Sequence, residues 1–182
     1  MARVTLQTID SAPAEAKPRL EAAEKANGFI PNLLRVLANS PQALQTYQEV
    51  GKINGATSLS PTEIEVIQIT AATDNGCDFC VAGHSKIAKA KLRLDDETVA
   101  NLQHKRPLGD AKLKALQDFT LAVITRRGKV SDAELTAFRQ AGYGDQQILE
   151  VILGVSLATL CNYANNLAGV EINAELQPFA KK

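Results

Sequence analysis

The tetrapeptide Ser60-Pro61-Thr62-Glu63 fixes a helix start. A serine at the N-cap and a glutamate three residues on satisfy each other's orphan backbone N–H groups, and proline at the first helical position has no N–H to leave unpaired. The same signal recurs at Ser131-Asp132-Ala133-Glu134. Short runs of Gly, Pro, Asn, Asp and Ser break the rest of the chain into segments whose apolar residues recur at helical spacing, as Leu113, Leu116, Phe119, Leu121 and Ile124 do. No strand-like alternation competes. The pattern predicts an all-α fold, with helices over about 14–26, 31–38, 41–53, 61–73, 77–92, 95–105, 110–126, 131–141 and 145–167.

With 182 residues the chain has the size of one domain, 1–182, with the first ten residues and the tail from Glu171 as arms. Twenty Lys+Arg balance twenty Asp+Glu. No basic stripe is left to bind phosphate backbones or an acidic membrane, so neither nucleic acid nor membrane is an expected partner. Met1-Ala2-Arg3-Val4 leads into a polar stretch and not the apolar core of a secretory signal. The apolar run from Ile148 to Cys161 is interrupted by Glu150, Gly154, Ser156 and Thr159 and falls short of the roughly 20 residues of a membrane span. A cytoplasmic protein is the expectation. Three cysteines, an odd number, do not make a secreted disulfide framework.

Two of those cysteines carry the chemistry. Cys77-Asp78-Phe79-Cys80 is followed by His84, a C-x-x-C-x-x-x-H pattern at a predicted helix start. Unpaired N–H groups and the helix dipole favour a thiolate there, and cysteines three apart can cycle between dithiol and disulfide. His84 stands one turn beyond Cys80 on the same face, where it can act as its base. Asp74-Asn75-Gly76 leaves almost no loop before Cys77, so the two flanking helices fold back as an antiparallel hairpin. Counting outward from that turn sets Glu65 level with His84. Ile64, Val66, Ile67 and Ile69 surround Glu65 with apolar company, which disfavours a bare carboxylate unless His84 donates to it. Glu63, by contrast, belongs to the capping box.

Glu65, Cys77, Cys80 and His84 at this spacing resemble the alkyl hydroperoxidase D branch of the carboxymuconolactone decarboxylase family. Gly28-Phe29-Ile30-Pro31-Asn32-Leu33 and Ser40-Pro41 extend the likeness to its peroxidase-related members, over about 28–125. The resemblance implies a helical fold assembled as trimers or hexamers, and thiol peroxidase chemistry without haem, flavin or metal. It also implies that Cys80 attacks a peroxide, Cys77 resolves the sulfenic acid, and Glu65 with His84 relays protons. A dihydrolipoyl or other thiol donor would restore the dithiol. Phe79 stands where the best-known hydroperoxidase D proteins carry a histidine, so one of their proton-handling groups is absent. Lactone decarboxylation is not implied, because that branch lacks the paired cysteines.

Three readings stay open on the residues alone. One is a peroxidase. The second is a dithiol oxidoreductase or redox sensor acting on a protein or lipoyl disulfide. The third is a non-catalytic helical oligomer holding zinc, although a second C-x-x-C is missing and Cys161 and His104 lie far off in sequence. The helix dipole favours Cys77 as the thiolate; a base at His84 favours Cys80, which is the expected nucleophile. Cys161 reads as an inert buried thiol and His104 as a solvated residue at a helix end. The amides of Asn162, Asn165 and Asn166 read as helix-terminal caps, with a polar pocket wall as the other possibility.

Overall fold

A computed structural model describes residues 3–181, so Met1 and Ala2 of the predicted N-terminal arm and Lys182 of the tail lie outside it. Nine α-helices and no strand form among the described residues: α1 (Lys17–Asn27), α2 (Asn32–Leu37), α3 (Pro41–Asn54), α4 (Pro61–Asp74), α5 (Asp78–Lys86), α6 (Asp96–Gln103), α7 (Ala111–Thr125), α8 (Asp132–Gln140) and α9 (Asp145–Ala168). Both capping boxes form, with Ser60 and Ser131 each accepting from the backbone three residues on. Helix α1 begins later than the composition suggests, at Lys17, where Pro18 fits the first turn.

The predicted helix over 77–92 divides. Its α-helical part ends at Lys86, and Ile87–Lys91 continues as a π-helical turn in which Leu92 N–H reaches Ile87 O at 3.1 Å. Such wide turns recur at functional sites.

Helix α4 is the centre of the packing, in contact with α5, α6, α7 and α9. Val66, Ile67 and Ile69 face one apolar cluster with Val99, Leu116, Phe119, Phe138 and Val151. Ala72 belongs to a second, with Leu20, Leu37, Leu44, Val81 and Leu157. In the first cluster Phe138 is stacked between Phe119 and Tyr143, at centroid distances of 4.1 and 4.4 Å. Tyr143 then donates its hydroxyl to Glu63 Oε1 at 2.8 Å. Burial alone would raise the pKa of Glu63, but hydrogen bonds from Ser60, Tyr143 and Lys112 outweigh it and hold the carboxyl below its usual range. Glu63 is structural, as the capping box implies.

Helix α9 forms over the predicted 145–167 and runs one residue further, to Ala168. By length and composition alone it could cross a membrane, yet it packs on α2, α3, α4, α5 and α7. Val151, Gly154, Ala158, Cys161, Asn165 and Ala168 form its buried face. Gly154 sits where α9 crosses α4: a Cβ there would stand 3.0 Å from Ile67 Cγ2. Its carbonyl accepts from Gln68 Nε2 at 2.9 Å.

Candidate active site

Residues 75–77 link α4 to α5, and Gly76 takes a left-handed φ of 65°, which a residue with a Cβ adopts only at a cost. The turn folds α5 back along α4 and brings His84 Nδ1 to 2.8 Å from Glu65 Oε2. Glu65 is buried and the His84 side chain is 28% exposed. Burial alone would lower the His84 pKa, but the Glu65 charge and hydrogen bond outweigh it, so the ring is held above its ordinary value. A carboxylate facing an imidazolium at this distance is a proton store.

Cys77 is the N-cap of α5, and its Sγ accepts from Cys80 N–H at 3.4 Å. Asn165 Nδ2, on α9, lies 3.2 Å from Cys80 Sγ and 3.7 Å from Cys77 Sγ. Both cysteines are free and buried. A hydrogen bond from the Cys80 side chain, seconded by the Cys80 backbone N–H and Asn165, brings the Cys77 thiol down to about 7 despite burial. The same bond and burial push Cys80 up. Of the two thiols, Cys77 is therefore the more readily ionised.

This divides two properties that the sequence reading assigned together. The expected bond between His84 and Cys80 does not form: the ring is turned to Glu65, and among the described residues no hydrogen bond joins His84 to either sulfur. The hydrogen bond from the Cys80 side chain, followed by the Cys80 backbone N–H, and not the imidazole, makes Cys77 the more acidic thiol. Cys80 and His84 instead share a cavity of about 280 Å³, walled by Phe29, Leu34, Tyr47 and Ile87. Cys77 opens on the other side, to a polar depression lined with Asn165, Asn166 and Glu171. Lys86 lies over the Phe29 ring, 5.3 Å from its centroid.

The remaining candidates fall out as follows. Cys161 lines the same cavity but is buried, with its thiol pushed up to about 12 by burial and the neighbouring Cys77. It is a poor nucleophile near neutrality. His104 is the half-buried C-cap of α6, away from the cysteines. No group of three or more His, Cys, Asp or Glu side chains among the described residues is disposed to hold a metal.

The amides of α9 are not caps. The helix continues to Ala168 and is closed by left-handed Gly169. Asn162 Oδ1 accepts from Asn75 Nδ2 at 3.0 Å and Asn166 Nδ2 donates to Asn75 O at 2.8 Å, so they fasten α9 to the turn before Cys77. Asn165 between them meets the sulfurs. Tyr47, which the sequence reading missed, lines the cavity with a hydroxyl whose pKa is raised, first by burial and then by the nearby Cys161, Cys80 and Glu65.

The sequence profile of the carboxymuconolactone decarboxylase family matches residues 41–109, a span that holds Glu65, both site cysteines and His84. The alkylhydroperoxidase AhpD core of an uncharacterised peroxidase-related protein from Ralstonia eutropha JMP134 aligns with a TM-score of 0.86 at 21% identity, over 96% of this chain and 94% of that one. The fold of the chain is AhpD-like, and residues 41–109 are similar to the carboxymuconolactone decarboxylase family. A second peroxidase-related protein, from Silicibacter sp. TM1040, shares the AhpD-like fold with a TM-score of 0.81 at 21% identity, again over 96% and 94% of the two chains. So does the debrominase Bmp8 in its apo form, with a TM-score of 0.76 at 19% identity over 96% and 94%. Among curated proteins nothing matches. The fold thus accommodates proteins of different described activity, and the reaction of this AhpD-like chain has to be argued from its own residues.

Proposed function

We propose that the protein is a thiol-dependent peroxidase that reduces organic hydroperoxides through a dithiol–disulfide cycle of Cys77 and Cys80. The observation that carries this reading is the opening of Cys80 and of His84, itself bonded to Glu65, onto one largely apolar cavity. In the resting dithiol Cys77 is the thiolate and Cys80 holds the proton. When a hydroperoxide enters, Cys80 passes that proton to Cys77, and its own thiolate attacks the distal peroxide oxygen. The S–O bond forms as the O–O bond breaks, and the departing alkoxide takes a proton from the His84 imidazolium, leaving as an alcohol. Cys77 then attacks the sulfenic acid of Cys80; the disulfide forms and the hydroxyl leaves with the Cys77 proton as water. Two electrons have moved from the two sulfurs to the peroxide.

An external dithiol of the dihydrolipoyl kind returns the disulfide to the dithiol by exchange. The polar depression on the Cys77 side supports its approach from the face opposite the oxidant. That depression also favours the second reading, a dithiol oxidoreductase for which peroxide is a poor acceptor. Peroxide turnover with dihydrolipoamide and with thioredoxin as competing donors, set against reduction of a lipoyl disulfide, separates the two. Peroxidase turnover that is lost in Cys80→Ser is the expected result; disulfide reduction outrunning peroxide reduction would favour the second reading.

Self-association is part of the proposal. Leu149, Tyr163 and Leu167 of α9 are 70%, 60% and 62% exposed, a strong exposure of large apolar side chains on one helix. A trimer or hexamer by light scattering is the expected outcome.

A further inference from the structure

Asn165 is retained at a cost. It is 3% exposed, and its Oδ1 is buried without a hydrogen-bond partner among the described residues. An unsatisfied buried amide oxygen destabilises a fold, and an apolar side chain of similar volume would pack there without that penalty. What the amide gains is contact with the two sulfurs through Nδ2, at 3.2 and 3.7 Å. Its place is held from both sides, because Asn162 and Asn166 grip Asn75.

We infer that Asn165 holds negative charge on the reduced cysteine pair by donating its amide hydrogens to both sulfurs, and so sets how readily the pair ionises and how readily its disulfide is reduced. Few other groups can do this. Asp78 on α5, Glu65 on α4, Tyr47 on α3 and Cys161 on α9 are acids or neutral donors that gain nothing from added negative charge nearby. The His84 ring is already bonded to Glu65. The backbone N–H of Cys80 donates to Cys77 Sγ and the Asn162 side chain bonds Cys80, but the Asn165 amide reaches both sulfurs. The residue lies outside 41–109, so it is no part of the segment matched by the family profile. The inference does not depend on which oxidant the pair meets.

The test is the pH dependence of iodoacetamide alkylation of the reduced full chain, read at Cys77 by peptide fragmentation. Wild type should show a midpoint near 7, following the lowered Cys77 thiol. Asn165→Leu and the smaller Asn165→Ala should move it up by about one pH unit, and Asn165→Asp, which adds a like charge, further still. Asn166→Ala loosens the same helix at its bond to Asn75 O without touching a sulfur, and should lower the melting temperature with the midpoint in place. Against a lipoyl redox couple, loss of the donor should make the disulfide harder to reduce by about tenfold, equivalent to about 30 mV. Wild-type midpoints in both Asn165→Leu and Asn165→Ala, or an equal shift in Asn166→Ala, would overturn the inference. If the leucine variant does not fold, the alanine variant and the redox equilibrium decide.

Discussion

His84 Nδ1 and Glu65 Oε2 stand 2.8 Å apart across the α4–α5 hairpin, the acid buried and the ring partly open to the cavity that Cys80 lines. The contact joins two helices and raises the imidazole's hold on its proton. It should therefore show in stability and in turnover.

Glu65→Gln removes the charge that holds His84 above its ordinary 6.5. A histidine with a raised folded pKa contributes stability fully below its unfolded value, and that contribution is lost as pH rises through the folded value. The stability gap between wild type and Glu65→Gln should therefore be widest near pH 6, at about 1–3 kcal/mol, and close toward pH 9. Urea melts across this range measure it. Peroxide turnover should fall about 100-fold, as loss of a proton relay does.

Acidity and access lie on different sulfurs, and single-cysteine variants report both. In Cys77→Ser, limiting peroxide should leave a trappable sulfenic acid on Cys80. In Cys80→Ser, Cys77 should alkylate readily and oxidise slowly, since it does not line the cavity. Dimedone labelling read by mass spectrometry distinguishes these outcomes; labelling confined to Cys77 in the wild type reverses the assignment.

The cavity that Cys80 lines is walled mostly by apolar side chains, and no carboxylate among the described residues lines it. A bulky apolar hydroperoxide buries surface there that hydrogen peroxide cannot. Cumene hydroperoxide should exceed hydrogen peroxide in kcat/KM by about tenfold or more, the effect of about 60 Å² of apolar burial. Steady-state rates with one donor make the comparison, and a preference for hydrogen peroxide would contradict it.

Gly154→Ala tests the crossing of α9 over α4. The added Cβ meets Ile67 Cγ2 at 3.0 Å and the side chains of Asn54 and Gln68 at 3.5 Å, so the helices must part. A loss of about 1–3 kcal/mol is expected from denaturant melts, against the gain an alanine usually brings to a helix interior.

Much of this arrangement is legible in the chain. Capping boxes and the Asp74-Asn75-Gly76 turn are local signals, so the helix starts and the hairpin follow from a few residues, and the hairpin in turn sets Glu65 opposite His84. What local signals do not carry is partner choice. The direction of the His84 ring depends on a buried acid competing with a thiol, and the acid wins. The role of Asn165 depends on α9 returning to the cysteine turn across 85 residues of chain, a packing outcome that no spacing within α9 reveals. The π turn at Ile87–Lys91 has no counterpart in the apolar periodicity either, because a wide turn keeps the composition of the helix it interrupts.

The most direct test of the account is a thiol count on the reduced protein before and after one equivalent of cumene hydroperoxide. The account predicts the loss of two thiols of three, with peptide mapping giving a Cys77–Cys80 disulfide, Cys161 still free, and full recovery on adding dihydrolipoamide. Three thiols surviving the peroxide, or a disulfide that includes Cys161, would contradict it.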